Sequence, residues 1–379
     1  MLHYLTLPQN ILILIPTILV LFIPAIYRRY FLCVTYASSS SQIAVQKKSN
    51  TKISELVDGG RYFFYDFLKG IGMLAVLIIH VTYIYKDDLT FYNTDNVYYY
   101  VNNLVNNLTR FTIPFFLLIS GVLLKPFIMQ KKEIVDFYRK KLLRLIPPYI
   151  LCVIAIHWDR PIAEIWSLGI TGQADVPFYF MLVLFQCYFL YPLLVYLRKY
   201  VSVTMYLLLI ISVVSAIFPT FWSAHDVPLC LKYIFFFAYG AYSREYFLNY
   251  KKERNKDFWL WVICIVYYVV YCLIFSNYYY NTRFFWGLAT FHMVFYFRDS
   301  ILKWKIFTKF FNFIGRFSLW IFLIHYQIML GFKSYFEQFA MNFYIEQLCN
   351  FFATFIVTII ASFLLDLIYR KITEPFLKT

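Results

Sequence analysis

Three ionisable side chains interrupt one apolar run: Asp66, Lys69 and His80 in DFLKGIGMLAVLIIH, residues 66–80. A carboxylate, an amine and an imidazole are the working parts of acid–base chemistry, and imidazole is the one suited to accept a proton near neutral pH. On an α-helix Lys69 and His80, eleven positions apart, lie on one face about three turns and roughly 16 Å from one another, with Asp66 a turn below Lys69. Ionisable groups are destabilising in hydrocarbon, so three on one stripe mark an internal pathway or site. The chemistry expected is proton transfer and charge stabilisation along a membrane normal.

The elements that hold these groups are legible in the composition. Of 379 residues, 61% are hydrophobic and 15% charged, whereas a soluble domain carries about a quarter charged residues. The fold class is therefore all-α, a polytopic transmembrane helix bundle. Apolar runs predict eleven spans near 7–27, 63–85, 103–124, 144–157, 177–197, 202–219, 229–242, 258–275, 283–297, 312–331 and 349–369, several of them shorter than the ~20 residues a crossing needs. The organisation expected is an extra N-terminal helix in residues 1–34, a polar Ser/Lys-rich cytoplasmic linker in 35–60 and a ten-helix body in 61–379. The first helix is read as retained, because its arginines follow the apolar stretch, the reverse of a signal peptide.

The net charge of +15 raises the question of nucleic acid, and its placement answers it. Alternate loops carry 28 of the 35 lysines and arginines, against six on the opposite side and Lys69 embedded. By the positive-inside rule the rich side faces the cytoplasm, which puts the N-terminus outside and the C-terminus inside. The basic excess is topology, and a nucleic-acid partner is excluded. Seven scattered cysteines form no CxxC pair, so neither a metal site nor a disulfide framework is expected.

Seven segments, in order, then resemble the acyltransferase 3 family of membrane acyltransferases. They are DFLKGIGMLAVLIIH (66–80), TRFTIPFFLLISGVLL (109–124), FYRKKLLRLIPPYIL (137–151), FYFMLVLFQCYFLYPLL (178–194), FFFAYGAYSRE (235–245), GRFSLWIFLIHYQIM (315–329) and ITEPF (372–376). The resemblance runs over roughly residues 61–376. It implies transfer of an acyl group, usually acetyl, from cytoplasmic acetyl-CoA or another acyl-CoA to a hydroxyl of a cell-surface or envelope polysaccharide. The acyl-CoA is a co-substrate, and no tightly bound cofactor is expected. The partners implied are acyl-CoA, a glycan or lipid-linked glycan acceptor and the bilayer, with the chain in the cell's cytoplasmic membrane. Two departures stand out: Lys69 occupies a position where the family usually has Arg, and Pro177-Phe178 stands where it often has His or Trp. An ammonium does not reproduce a guanidinium fork.

The resemblance sharpens the reading of individual residues. His80, toward the outer half of its helix, is the expected catalytic group, either as the base that activates a hydroxyl otherwise a poor nucleophile or as a transient acyl carrier. Lys69 and Asp66 lie nearer the cytoplasm; Lys69 either holds a CoA phosphate or thioester oxygen, or pairs with Asp66 and snorkels. Arg139, Lys140, Lys141 and Arg144 form a basic rim suited to the phosphates of CoA, although positive-inside loops look the same without a ligand. Arg139 and Arg144 match the family spacing. Arg110 is an acceptor or oxyanion ligand or an interfacial anchor; Ser120 is an oxyanion contact or a backbone bond; His325 is functional or structural. Gly121 suits close helix approach. Glu374 closes a helix end or pairs with Arg139 or Arg144. His157, His225 and His292 match no motif.

Three functions remain open at this stage. The first is a polysaccharide O-acetyltransferase. The second is an exporter or flippase for a surface polysaccharide, for instance of poly-N-acetylglucosamine type, which would favour paired halves with Gly/Pro-broken helices; no such repeat is visible. The third is an assembly component of an envelope synthesis complex.

Overall fold

A computed structural model of the chain describes residues 57–58, 61–85, 97–127, 129–217, 228–250, 255–274, 283–339 and 341–377. The expected N-terminal helix at 7–27 and nearly all of the polar linker lie outside the described residues.

Apart from a two-residue antiparallel pairing of Val57–Asp58 with Arg61–Tyr62, the regular secondary structure among the described residues is helical. The helices in order are α1 (Phe63–Ile84), α2 (Val97–Thr109), α3 (Thr112–Val122), α4 (Lys131–Ile156), α5 (Ile162–Thr171), α6 (Tyr179–Leu197), α7 (Val201–Ile217), α8 (Ile234–Tyr242), α9 (Arg244–Leu248), α10 (Asn255–Ile274), α11 (Arg283–Tyr296), α12 (Arg298–Leu302), α13 (Lys305–Arg316), α14 (Ser318–Phe336) and α15 (Phe343–Leu377). The chain is an all-α helical membrane bundle.

Among the described residues three helical runs are long and apolar enough to cross a bilayer: α1, Val176–Ser215 and Phe343–Ile372. The pair α13 and Ser318–Phe339, bent by 79° at the break between them, makes a fourth if taken as one span. Two other expected spans, at 103–124 and 144–157, are not single long apolar helices, for physical reasons. α3 has only 11 residues, and the first half of α4 is crowded with lysine and arginine. The expected loop at Arg198 and Lys199 is a single 3-10 turn, Arg198–Tyr200, inside one helical run.

Contacts divide the chain into two interleaved units. One comprises residues 113–131 and 183–303 with the segment ending at Phe63. Its core is aromatic: Phe235, Phe236, Phe237, Phe247, Phe291 and Phe295 are nearly fully buried. α3 and α8 touch backbone to backbone, since a Cβ on Gly121 would stand 2.2 Å from the Phe237 carbonyl oxygen and one on Gly240 2.2 Å from that of Leu118. Gly121 thus does what its position next to Ser120 led us to expect. His292 stacks on Trp261 at 4.2 Å and hydrogen-bonds the Tyr239 hydroxyl at 2.9 Å, a satisfied core histidine.

The other unit comprises residues 64–112, 132–182 and 304–379, and it holds most of the chemistry-bearing residues. α1 crosses α13 at a second glycine pair. A Cβ on Gly70 would lie 2.0 Å from the Phe311 carbonyl oxygen, and one on Gly315 1.7 Å from that of Asp66. Close approach through small residues is how membrane helices gain packing contacts that lipid cannot supply. α14 and α15 pack along a polar seam on α15: Asn350, Thr354, Thr358 and Ser362, four residues apart, are all fully buried. Asn350 donates to the Tyr85 hydroxyl and the Met329 carbonyl, and Thr354 donates to the Asn350 side-chain oxygen.

Candidate active site

The apolar body of α1 is broken at two levels, and different neighbours stabilise each. At the first level the Lys69 ammonium donates to the Asp66 carboxylate at 2.9 Å, a half-buried i,i+3 pair. Lys69 is thus paired with Asp66, which is buried beneath it.

At the second level α2 grips α1 around His80. The sequence NNLVNNL puts Asn102, Asn103, Asn106 and Asn107 on two adjacent turns, and all four are buried. Asn106 donates to the Ile79 carbonyl at 2.9 Å and to the Thr82 hydroxyl at 2.7 Å, while Asn102 donates to the Thr82 carbonyl at 2.8 Å. Gln347 of α15 in turn donates to Asn102. Thr82 spends its own proton on the carbonyls of Ile78 and Ile79, a back-bond that biases the local helix. The backbone on both sides of His80 is thus clamped by amide side chains. The last turn of α1 is tied from α14, where Lys333 donates to the Ile84 carbonyl at 3.1 Å.

The same Asn106 orients Arg110: its side-chain oxygen accepts from the guanidinium Nε. Arg110 is close enough to His80 to act on its charge. α14 brings a second imidazole: the rings of His80 and His325 have centroids 5.1 Å apart, and Tyr326 packs edge-on against His80 at 5.2 Å. His325 is fully buried, and its Nδ1 donates to the carbonyls of Ile321 and Phe322, each at 2.9 Å. Those acceptors fix the proton on Nδ1 in the neutral ring and leave Nε2 as a bare lone pair. His325 Nε2 and His80 Nδ1 are both buried with no hydrogen-bond partner among the described residues.

The basic rim divides on inspection. Arg139, Lys140 and Arg144 are exposed on α4, whereas Lys141 is half-buried and turned inward. Lys141 lies before the apolar part of its helix, and burial, with the charges of Arg144 and Lys69 beside it, pulls its ammonium down to about 8. Lys69, Lys141 and Arg144 are therefore neighbours, although they come from two helices. α4 is held there by the Tyr369 hydroxyl of α15, which donates to the Leu143 carbonyl at 2.8 Å.

Two other expected residues belong to other segments of the chain. Ser120 is half-buried on α3, in the other unit. Glu374 lies on α15, with its side chain outside the described residues. Conversely, Asn102, Asn106, Gln347 and Tyr326 were not anticipated as parts of the site. The repeated Asn pair four residues apart in α2 was the available signal, since buried amides on one helix face need partners.

The unit thus has a cationic cluster and an imidazole pair with a guanidinium, separated along α1 by about 16 Å at 1.5 Å per residue. Phosphates suit the first; proton transfer and stabilisation of a developing oxyanion suit the second. Comparison with known families matches residues 62–367 to the one described as an acyltransferase domain. No curated protein and no solved structure gives a significant match.

Proposed function

This chain belongs to the acyltransferase domain family, and we propose that it carries an acyl group, acetyl in the simplest case, from cytoplasmic acyl-CoA to a hydroxyl of a cell-surface or envelope polysaccharide. The observation that carries the reading is the pairing of His80 and His325 beside Arg110, with one buried ring nitrogen on each imidazole that has no hydrogen-bond partner among the described residues.

The steps follow from those groups. His80 takes the proton of the acceptor hydroxyl as its oxygen attacks the thioester carbonyl carbon. Arg110, steered by Asn106, faces the oxyanion that develops. The C–S bond then breaks, the new ester C–O bond is complete, and the proton held by His80 returns to the departing CoA thiolate. His325, its tautomer set by two backbone carbonyls, orients the His80 ring. Lys69, Lys141 and Arg144 attract the CoA phosphates at the other end of α1. The positive-inside rule assigns that end to the cytoplasm, because the segments before α1 and on the first half of α4 are rich in lysine and arginine. The host bilayer on this reading is the cytoplasmic membrane.

The test is ester-linked acetate on surface polysaccharide from cells with the wild-type gene, a deletion and His80→Ala. Loss in both altered strains at unchanged total polysaccharide, with His80→Ala protein still in the membrane, is expected; removal of a general base costs about 10²–10⁴-fold in rate. Loss of the polysaccharide itself on deletion, restored by the His80→Ala copy, would point to export or assembly instead.

A further inference from the structure

Close to the imidazole pair is a buried carboxylate that the steps above leave unused. After α5 the chain reverses through Gly172, whose φ of 69° is left-handed and whose added Cβ would lie 2.7 Å from Leu182. That tight turn delivers Asp175 to the start of the 3-10 turn Val176–Phe178. Asp175 is 9% exposed. Its Oδ1 accepts the Val176 N–H at 2.8 Å and so caps the turn. Its Oδ2 is buried with no close hydrogen bond among the described residues, while the Gln327 side chain of α14 approaches the carboxylate as a looser donor.

The surroundings of Asp175 come from two packed helices. His157, just past α4, and Gln327 of α14 face the carboxylate. His157 is itself held, its Nε2 donating to the Ala174 carbonyl at 2.8 Å. Tyr326, next to Gln327, senses the Asp175 charge and packs against His80. Asp175 is thus one side chain removed from the imidazole pair. Val176, the next residue, is 46% exposed, so the carboxylate lies one residue beneath the surface. Burial pushes its carboxyl up to about 6, against the pull of the Val176 amide, Gln327 and His157.

A buried acceptor oxygen without a donor is destabilising, and native proteins retain such atoms chiefly where a ligand or water supplies the donor. A carboxylate oxygen accepts two hydrogen bonds and donates none. We propose that Asp175 Oδ2 is an acceptor-substrate subsite: it receives a hydroxyl of a neutral sugar ring, next to the hydroxyl that His80 activates, and so selects which position is acylated. This rests on the transferase reading above. Anionic sugars are disfavoured at that point, because their carboxylate or phosphate would oppose Asp175.

Two substitutions retain a capping oxygen while removing the carboxylate charge and the Oδ2 acceptor. Asp175→Asn leaves Oδ1 for the Val176 N–H and puts a donor where Oδ2 was, and Asp175→Ser retains a capping hydroxyl without the second oxygen. Purified wild-type protein and both variants are given acetyl-CoA with methyl hexopyranosides and their monodeoxy counterparts as acceptors. The acceptor KM is expected to rise about tenfold or more in both variants, with the acetyl-CoA KM and the thermal midpoint unchanged. Wild type is expected to lose about tenfold with one monodeoxy sugar, and that discrimination disappears in the variants, because the lost hydroxyl and the lost oxygen are partners. An unchanged acceptor KM overturns the subsite while leaving the transferase reading standing. So does a joint rise of both KM values with a lower thermal midpoint, which marks a structural role. Wild type that acylates none of the sugars, with surface polysaccharide ester unaffected by His80→Ala, overturns the transferase reading and the subsite with it.

Discussion

At the scale of single residues, the two ends of α1 use charge differently. His80, His325 and Arg110 form a group in which hydrogen bonds set the tautomer of one ring and the direction of the guanidinium. Lys69 and Lys141 instead share a half-buried corner, where the Lys69 ammonium pairs with Asp66 and burial acts on the Lys141 ammonium. The consequence is a pH dependence that can be signed. A lysine whose ammonium is pulled down to about 8 is charged below that pH and becomes a neutral amine above it. Attraction for a phosphorylated donor is then present at pH 7 and lost as pH rises through 8. We expect kcat/KM for acetyl-CoA to fall by about tenfold between pH 7 and pH 9.5, a charge-assisted hydrogen bond being lost. In Lys141→Met the value at pH 7 is expected to be already low and that limb absent. A limb identical in both proteins would remove Lys141 from donor binding.

At the scale of elements, the position of α1 is decided by backbone contact and amide clamps. Gly70 and Gly315 let α1 and α13 touch at carbonyl oxygens, while Asn102 and Asn106 hold the turn around His80. A methyl at the first crossing has no room. Gly315→Ala would put a Cβ 1.7 Å from the Asp66 carbonyl oxygen, so the helices must part, and overpacking of this kind costs about 1–3 kcal/mol or more. The expected outcome is a lower thermal midpoint in detergent together with weakened acyl transfer, since Asp66 and Lys69 move with the helix. Gly331→Ala is the control, because nothing lies within 4 Å of its added Cβ. Equal midpoints for the two variants would refute the close crossing.

At the scale of the whole molecule, the bilayer is the solvent and the helices sort their faces by it. α15 is the clearest case. Leu348, Phe352, Ile356, Ile360 and Leu364 are exposed at 52–57%, whereas Asn350, Thr354, Thr358 and Ser362 are at 0%. Polar groups face protein and apolar groups face lipid, as expected where hydrocarbon cannot satisfy a hydroxyl. Ile356→Lys places a charge near the middle of that lipid-facing stripe, at about 2.5–3.5 kcal/mol on insertion scales. We expect it to reduce carbonate-resistant membrane protein severalfold. Thr358→Val, which removes a hydroxyl with no hydrogen-bond partner among the described residues, should leave that fraction unchanged. The reverse ranking would mean that α15 faces protein with its apolar side.

The amino-acid sequence by itself determined the all-α membrane class, the family, and the importance of α1. Those follow from local quantities: the length of apolar runs, and the rarity of Asp66, Lys69 and His80 within one of them. It also flagged His325, though it left the residue's role open, because a lone histidine in an apolar helix reads the same whether or not another imidazole faces it. Only the tertiary structure paired His325 with His80, tied Arg110 to Asn106, turned Lys141 inward while leaving Arg139 outward, and brought Asp175 from the unremarkable stretch TGQADVP to the same neighbourhood. The ends of individual spans were less legible for a related reason. Hydropathy sees apolar residues but not whether the helix continues, as at the 3-10 turn Arg198–Tyr200, or bends, as by 79° between α13 and α14. Partners distant in sequence are chosen by helix crossing and rotation, and those depend on contacts such as Gly70 against Phe311 that no single segment encodes.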